Sequence, residues 1–237
     1  MLAFAFACIQ LRAACQTVTP PGKAAHDSLI EQTFHRYQIG LRKTMQLYNG
    51  AEYIRPFPLL KGAPFLEESG LQKGTVYFDG ILYSAVMLAY DIVSQELVTT
   101  GYQNINLTLV PEKIGYFYLA NRLFIPAPRD SITNKKAMSG FCEVLYNQHL
   151  LVLAHYQKTP RRSSSTESAA TFMQSTTYYI LKDNTVLKID NEKALLAAFN
   201  EQKDNVKKYM RSNNLKFKKA PAETLQKTAA YFTQLNE

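Results

Sequence analysis

The stretch covering residues 75–190 constrains the fold most, because it alternates short β-prone runs with turn residues and leaves little room for helices between them. Parallel strands need crossover connections of about a dozen residues or more, and these are usually helical. Antiparallel strands need only short turns, and turn residues recur here roughly every eight to twelve positions, as in all-β proteins. The pattern therefore predicts an antiparallel β-meander.

One turn can be assigned from its two residues alone. Asp79-Gly80 separates two β-prone runs, and a type I′ hairpin turn favours this dipeptide because both central residues need positive φ. The strands flanking this turn are expected at residues 75–78 and 81–84, and further strands at residues 86–92, 105–109, 115–119, 123–125, 141–146, 150–156, 177–182 and 185–189. The polar residues 159–171 are expected to form a loop between two strands. An open barrel, a sandwich and a curled sheet all fit this pattern.

A helix is predicted before the β section. Apolar residues recur there at spacings of three and four, which places them on one face of a helix of about five turns. Asn49-Gly50 supplies the stop, because Gly readily adopts the left-handed conformation that ends a helix. The Pro- and Gly-rich residues 52–74 then predict an ordered loop with aromatic anchors at Tyr53, Phe57 and Phe65. The apolar stripe of the helix consists of Ile30, Phe34, Tyr37, Leu41, Met45 and Tyr48.

Amphipathic helices are predicted after the β section. Asn191 can cap the first helix, the second covers about residues 202–213, and the third begins after Pro221. Their apolar faces are expected to pack on the sheet or on each other. The predicted fold class is therefore α+β and mainly β: an antiparallel β-meander, as an open barrel or a sandwich, with an N-terminal helix and two or three C-terminal helices.

The first sixteen residues, MLAFAFACIQLRAACQ, are typical of an export signal, with a short apolar run that ends in small residues. Ala13 and Cys15 occupy the −3 and −1 positions for cleavage before Gln16. A lipoprotein signal with Cys15 as the lipidated residue is an alternative, although Arg12 stands where an apolar side chain is wanted. Retention of the segment is a third possibility. The sequence thus predicts an exported protein, in the periplasm or associated with the outer membrane.

These assignments divide the chain into four parts. Residues 1–15 form the signal peptide, residues 16–74 the N-terminal helix and the Pro- and Gly-rich loop, and residues 75–190 the β core. Residues 191–237 form a basic amphipathic helical segment that is expected to pack on that core. Because Cys8 and Cys15 belong to the leader, only Cys142 remains in the processed chain, and it cannot form an internal disulfide. We expect it to be a small buried hydrophobe.

No motif in the chain predicts catalysis, and neither a metal nor a cofactor is expected. The histidines His26, His35, His149 and His155 are too far apart along their elements to share a metal ion. No nucleophile elbow, phosphate-binding loop or dinucleotide fingerprint occurs. A pair of carboxylates that converges only in the fold stays open as the basis of a hydrolase, and Asp91 and Glu143 are expected to point outward into solvent. The candidates are Asp91, Glu96, Glu112 and Glu143.

The net charge of +8 is concentrated towards the C-terminus. Lys203, Lys207 and Arg211 recur every four residues along one predicted helical face, and Lys208 lies beside them. Such a stripe can contact an anionic surface, such as lipid or a polyanionic glycan, or it can simply be the solvated side of the helix. A nucleic acid partner is not expected, because the leader directs the chain out of the cytoplasm and no base-stacking motif is found.

Five segments resemble a family of uncharacterised exported proteins of Gram-negative bacteria. They are residues 47–53 (LYNGAEY), 74–83 (GTVYFDGILY), 88–98 (LAYDIVSQELV), 140–146 (GFCEVLY) and 207–217 (KKYMRSNNLKF). The resemblance implies a periplasmic or outer-envelope bacterial protein with a β core and C-terminal helices. It implies no activity and no catalytic residues.

The sequence therefore predicts a non-enzymatic, exported, envelope-associated binding or structural module, whose partner is a membrane surface or another envelope component. The first alternative is a periplasmic carrier of lipid or another apolar ligand, with a cavity inside the sheet. The second alternative is a hydrolase with converging carboxylates. The residues expected to line a carrier cavity are Val86, Leu88, Tyr90, Leu107, Leu109, Val144 and Tyr146.

Overall fold

The computed structural model describes residues 46–128, 138–161, 170–183 and 185–235. The predicted signal peptide, with Cys15 and Gln16, and all but the end of the predicted N-terminal helix lie outside these residues. The described chain begins with two helical residues, Gln46 and Leu47, and Leu47 is buried in the core of the sheet.

The described residues form one antiparallel sheet followed by helices, which confirms the predicted mainly β fold. The strand bounds are β1 Ala51–Glu52, β2 Gln72–Phe78, β3 Ile81–Asp91, β4 Glu96–Thr100, β5 Asn106–Thr108, β6 Ile114–Leu119, β7 Arg122–Pro126, β8 Phe141–Asn147, β9 Leu151–Arg161, β10 Thr171–Lys182 and β11 Thr185–Ile189. Across the sheet they are ordered β1-β5-β4-β3-β2-β6-β7-β8-β9-β10-β11. Most neighbours are consecutive in the chain, as in a meander, but β2 pairs with β6 and β1 with β5.

The turn between β2 and β3 forms as its two residues predict. Asp79 has φ +50° and Gly80 has φ +79°, and the strands close on the pair Phe78 and Ile81. Positive φ at both central residues is the requirement of a type I′ turn, whose twist matches that of the flanking strands. The conformation of this turn is therefore determined by its own two residues.

The hairpin of β9 and β10 is longer than predicted and includes both ends of the loop expected at residues 159–171. Strand β9 continues to Arg161, and β10 begins at Thr171, which pairs with Arg161. Thr159, Arg161 and Thr171 are exposed in this part of the hairpin, and residues 162–169 lie outside the described residues. Solvation on both faces removes the period-two apolar signal without preventing strand pairing.

Aromatic residues fill the concave face of the curled sheet. Tyr90 of β3 meets Phe117, Phe124 and Phe141 edge to face, with ring centroids 5.7–5.8 Å apart. Phe117 and Phe124 stack on each other at 4.8 Å. Edge-to-face and stacked rings at these spacings attract one another beyond the gain from burial alone. The concave face therefore contains a packed core.

The end of β3 reaches across the concave face to β9. The backbone N–H of Lys158 donates to the carbonyl of Ile92 at 2.9 Å, and the Gln95 side-chain amide donates to the carbonyl of Tyr156 at 3.0 Å. No strand ladder joins β3 to β9 among the described residues. Of the three architectures that fitted the sequence, the structure is therefore a single curled, open sheet.

Three α-helices follow the sheet: α1 Glu192–Ala198, α2 Lys203–Ser212 and α3 Pro221–Gln234. Asn191 caps α1, because its side-chain oxygen accepts from the N–H of Ala194 at 2.9 Å. The helices share a second core with the strands β9, β10 and β11. Its fully buried members include Val152, Ile180, Leu195, Phe199, Val206 and Leu225.

Candidate functional site

The predicted basic stripe lies on α2, with its polar side towards solvent. Lys203, Lys208 and Arg211 are exposed and Lys207 is half-buried. The opposite side of the helix buries Val206 and Met210 in the second core. None of these four cations pairs with a carboxylate of the described residues. Both readings of the stripe, an anion-contacting surface and a solvated face, fit this placement.

A more unusual surface lies in the loop between β1 and β2. We call residues 54–62 the apolar loop, because three large hydrophobic side chains are exposed in it. Leu59 is 94% exposed, Ile54 85% and Phe57 46%. Single exposed apolar residues are normal on a protein surface, but several within one short loop mark an interaction site.

The backbone of the apolar loop is held in one shape. The Arg55 guanidinium donates to the carbonyl of Gly62 at 2.7 Å and to that of Leu60 at 3.3 Å. The N–H of Leu60 closes a turn on the carbonyl of Phe57 at 3.0 Å. Phe57 has φ +50°, a left-handed conformation that is unfavourable for a bulky residue. Such strain persists only where surrounding contacts over-determine it, which makes the loop a built feature.

The apolar loop is anchored on the β9–β10 hairpin. The N–H of Lys61 donates to the carbonyl of Ala170 at 3.1 Å, and Lys61 forms a parallel bridge with Thr171. The ring of Phe57 meets that of Phe172 edge to face, with centroids 6.5 Å apart. Phe57, which was predicted as an aromatic anchor of the loop, rests on the hairpin and stays half exposed.

Lys158 fixes the chain just beyond the apolar loop. Its ammonium donates to the carbonyls of Ala63 at 3.0 Å and Phe65 at 2.5 Å. Burial lowers the pKa of Lys158, because the charged form loses hydration. This buried cation, bonded to two carbonyls, ties the chain at residues 63–65 to β9.

Cations surround the apolar loop. Arg55, Lys61 and Arg161 are exposed, and none of the three pairs with a carboxylate in the part of the chain that the structure describes. Arg55 is occupied on one side by loop carbonyls. The surface thus combines projecting hydrophobic side chains with positive charge around them.

The four candidate carboxylates do not form one site. Asp91 was expected to be solvated, but it is fully buried, and its oxygens accept from the hydroxyl of Tyr53 at 2.7 Å and from the N–H groups of Val93 and Ser94 at 2.7 and 3.0 Å. It therefore shapes the turn between β3 and β4. By strand alternation Asp91 does face outward, but the chain at Tyr53 and Phe65 covers it.

Glu143 was also expected to point into solvent, and this prediction is wrong. It lies on the concave face, where Arg122 Nη2 contacts its carboxylate at 2.7 Å and the Tyr156 hydroxyl donates to it at 2.5 Å. Arg122 also pairs with Glu67 at 2.8 Å. Burial acts to lower the pKa of Arg122, but the hydrogen bonds and charge interactions with Glu143 and Tyr156 raise this pKa overall. Arg122 thus joins two carboxylates in one structural network of ion pairs and hydrogen bonds.

Glu96 and Glu112 do line one cavity, of about 580 Å³, at the end of the sheet near Gly140. Burial and the neighbouring Asp91 raise the pKa of Glu96. Hydrogen bonds from the side chains of Ser94 and Thr108 act in the opposite direction. Glu96 therefore lies close to two other candidate carboxylates: it shares this cavity with Glu112, and it stands opposite Asp91 in the pairing of β3 with β4.

The predicted carrier residues are distributed over separate environments. Leu88, Tyr90 and Leu109 are fully buried in the aromatic core. Val144 belongs to a small cluster with Cys142 and Leu153, and Tyr146 packs in the helical core. The structure does not bring these residues together around one cavity. In the described ranges no three His, Cys, Asp or Glu side chains are grouped so that they could hold a metal ion.

The apolar loop is not among the surfaces predicted from the sequence. A signal for it exists in residues 54–60 (IRPFPLL), where apolar residues alternate with two prolines. Proline cannot donate to a strand ladder, so such a segment cannot hide its apolar residues within a sheet.

No protein-family model matches the chain, and neither a curated protein nor a solved structure is significantly similar to it. Among the residues that the structure describes, no helix has the length and hydrophobicity needed to cross a bilayer.

Proposed function

We propose that this protein is an exported, envelope-associated, non-enzymatic binding module, and that it attaches to an anionic membrane surface through the apolar loop. The observation that carries the proposal is the near-complete exposure of Leu59 and Ile54 in a loop whose backbone is held by Arg55. Exposed hydrophobic side chains on a fixed loop are suited to enter the boundary between lipid headgroups and acyl chains.

The strain at Phe57 supports this interpretation. A non-glycine residue in a sparsely populated backbone region costs about 1–3 kcal/mol. In the free protein the loop hides little apolar surface in return, since Leu59 stays 94% exposed. A surface that displays its hydrophobic residues under strain is explained when those residues are buried in a complex.

The charges around the loop favour an anionic membrane as the partner. Arg55, Lys61 and Arg161 lie exposed beside the hydrophobic residues. Cations near an anionic bilayer contribute about 1 kcal/mol each, and apolar side chains about 1.5–3 kcal/mol each when fully buried. Burial of Ile54 and Leu59, together with these cations, thus contributes about 6 kcal/mol or more to membrane binding. This free energy corresponds to a dissociation constant of about tens of micromolar lipid, which is reversible attachment.

The exported location is part of the same proposal. Its support is the leader-like sequence of residues 1–16 and the resemblance to exported envelope proteins. Mass spectrometry of the protein from its own envelope fraction tests this part. A chain that begins at Gln16, or one that begins at a lipidated Cys15, agrees with export. Intact protein with Met1 in the cytosol would contradict it.

Liposome co-sedimentation tests the membrane contact. The probes are vesicles of phosphatidylcholine alone and vesicles with about a third phosphatidylglycerol. We expect the protein to bind the anionic vesicles, and we expect Ile54→Ser with Leu59→Ser to weaken binding about 100-fold, because two apolar side chains no longer enter the bilayer. Since both residues are exposed, the variant should fold normally.

Leu82→Ser is the matched control, since Leu82 is an exposed leucine, 53% accessible, on β3. The Leu82→Ser variant should bind the anionic vesicles as tightly as the wild-type protein does. Equal losses in the control and in the loop variant would show that the loop has no special role. A variant in which Lys203, Lys207, Lys208 and Arg211 are all replaced by uncharged residues measures the contribution of the basic stripe separately. Binding that depended on this stripe alone would refute the loop as the attachment site.

A further inference from the structure

Strand β10 is only partly paired along one edge within the described residues. It pairs with β9 along its length, from Thr171 to Leu181, but β11 covers only the part from Tyr178 to Lys182. On the β11 side, residues 172–177 have no strand partner among the described residues. We call residues 172–177 the edge slot. Backbone N–H and C=O groups on such an edge form a template for another strand.

The edge slot has two defined ends. At one end Lys61 bridges Thr171, and at the other Ile189 of β11 pairs with Tyr178. Both lie in the row that a new strand would occupy. Six residues at about 3.3 Å each give a slot roughly 20 Å long. It therefore accepts a short segment and stops a longer strand at both ends.

The edge slot lacks the usual protection against strand addition. Natural edges are guarded by proline, by charged side chains or by bulges. Residues 172–177 (FMQSTT) contain neither proline nor a charged residue, and their pairing with β9 has no register shift. Gln174 and Ser175 are exposed, and Met173 is half exposed.

A cavity of about 400 Å³ opens at the Ile189 end of the edge slot. Its walls come from β10, from the end of β11 and from the chain before α3, so it adjoins the row in which an added strand would lie. An apolar side chain next to residues 176–177 can enter it. The lining includes Thr176, Thr177, Tyr178, Ile189, Phe217 and Pro221.

The two ends of the edge slot differ in charge. Exposed Lys61 and Arg161 make the hairpin end positive. At the cavity end Asp190 pairs with Lys188 at 3.0 Å, and Glu192 and Lys218 line the same cavity, so the charges balance. An occupant with an acidic residue at the hairpin end and an apolar residue at the cavity end is complementary.

We propose that the edge slot receives a segment of about five extended residues from a partner polypeptide, added antiparallel to β10. Antiparallel pairing is the more stable arrangement and continues the direction of β11. The segment then has its apolar residue first, in the cavity, and its acidic residue last, beside Lys61 and Arg161. A second copy of this protein fits poorly, because its own β10 has twelve residues and would collide with Lys61 and Ile189.

The test begins with the free full-length chain in hydrogen–deuterium exchange. We expect about half of the amides of residues 172–177 to exchange fast, because alternate N–H groups face away from β9. Slow exchange at all of them would mean that the protein fills the slot with its own chain, and would overturn the proposal.

A phage-displayed library of linear seven-residue peptides supplies the probe. Peptides selected on the full-length protein, made synthetically, should carry an apolar residue before an acidic one and slow exchange within residues 172–177 at least tenfold. Every second amide nitrogen of the peptide can be methylated in two ways, starting at an odd or at an even position. Only one of the two patterns should abolish binding, since strand addition needs the N–H donors that face β10. Selection of no peptide, or protection elsewhere in the protein, would refute the proposal.

A pair of charge variants completes the test. Lys61→Glu should weaken the selected peptides about tenfold, because it places like charge beside their acidic residue. Lys208→Glu changes an exposed lysine on α2, which does not line the cavity, and should leave affinity unchanged. Equal affinities for both variants and the unchanged protein would contradict the proposed orientation. This inference does not depend on membrane attachment.

Discussion

The hydroxyl of Tyr90 on β3 is bound to both backbone groups of Phe141 on β8. It accepts from the N–H of Phe141 at 2.9 Å, and its proton lies between the carbonyl of Phe141 at 3.0 Å and Gln95 Oε1 at 2.5 Å. One buried hydroxyl thus joins strands that are far apart in the sheet order. Burial raises the pKa of Tyr90, so the hydroxyl keeps its proton at ordinary pH.

Tyr90→Phe should lower the free energy of unfolding by about 2–4 kcal/mol, because it leaves the N–H of Phe141 and the oxygen of Gln95 buried without partners. Urea denaturation measures the change. Tyr118→Phe is the control, since Tyr118 is partly exposed, and should change stability by less than about 0.5 kcal/mol. A loss of stability no larger than that of the control would show that the Tyr90 hydroxyl does not stabilise the curled sheet.

Gly140→Ala should be among the most destabilising changes in the protein. A Cβ at this position would lie 2.3 Å from Gln95 Oε1 and 2.8 Å from the Tyr90 hydroxyl, and φ is +82°. Gly80→Ala has the same type of φ, +79°, but meets no atom within 4 Å. We expect a loss of about 1 kcal/mol for Gly80→Ala and at least about 3 kcal/mol for Gly140→Ala in thermal or urea unfolding. Equal losses would mean that only the backbone conformation matters.

Arg122→Leu should destabilise the protein by about 2–3 kcal/mol, because it leaves the shielded carboxylate of Glu143 without its cation. Adding Glu143→Gln in the same chain should restore part of the loss, since the amide carries no charge. A double-mutant cycle by urea unfolding measures this coupling. Strictly additive effects of the two changes would show that the pair does not act as a unit.

The stability of the protein should depend on Cys142 above pH 9. Burial raises the pKa of this thiol from 9.0 to about 12. Between these pH values the unfolded chain releases the proton while the folded chain keeps it. The free energy of unfolding therefore falls as pH rises, by about 1.4 kcal/mol per pH unit from this group.

Unfolding of Cys142→Ala at several pH values between 9 and 11 measures this contribution as the difference in slope. The free energy of unfolding of this variant should fall less steeply with pH, because the contribution of the thiol is absent. This comparison of slopes does not depend on the stability of the variant at neutral pH. Identical slopes would show that the thiol ionises equally well in the folded protein. The unchanged protein should also resist alkylation at Cys142 until it is unfolded, because the thiolate is the reactive form.

Local features of the fold could be predicted because their causes are local. The Asp79-Gly80 turn follows from the backbone preferences of two residues, and the Asn191 cap from one side chain beside the first turn of α1. The antiparallel arrangement followed from connections too short for crossovers. None of these assignments needed knowledge of distant residues.

The positions of Asp91 and Glu143 could not be predicted for two different reasons. Strand alternation gave the correct face for Asp91, but a distant loop covers that face through Tyr53 and Phe65. Residues 141–146 are apolar on both faces, so the pattern could not choose a face for Glu143. Its inward position depends on Arg122, which arrives from the neighbouring strand.

The amino-acid sequence alone determined that this chain makes an antiparallel sheet with helices after it, because strand periodicity, turn residues and helix caps act within a few positions. The tertiary structure decided how the sheet curls around Tyr90, which carboxylates are buried or paired, and where Leu59 and the partly paired edge of β10 are displayed. These features depend on contacts between residues far apart in the chain. Such contacts leave no periodic or compositional trace, and only the folded arrangement brings their members together.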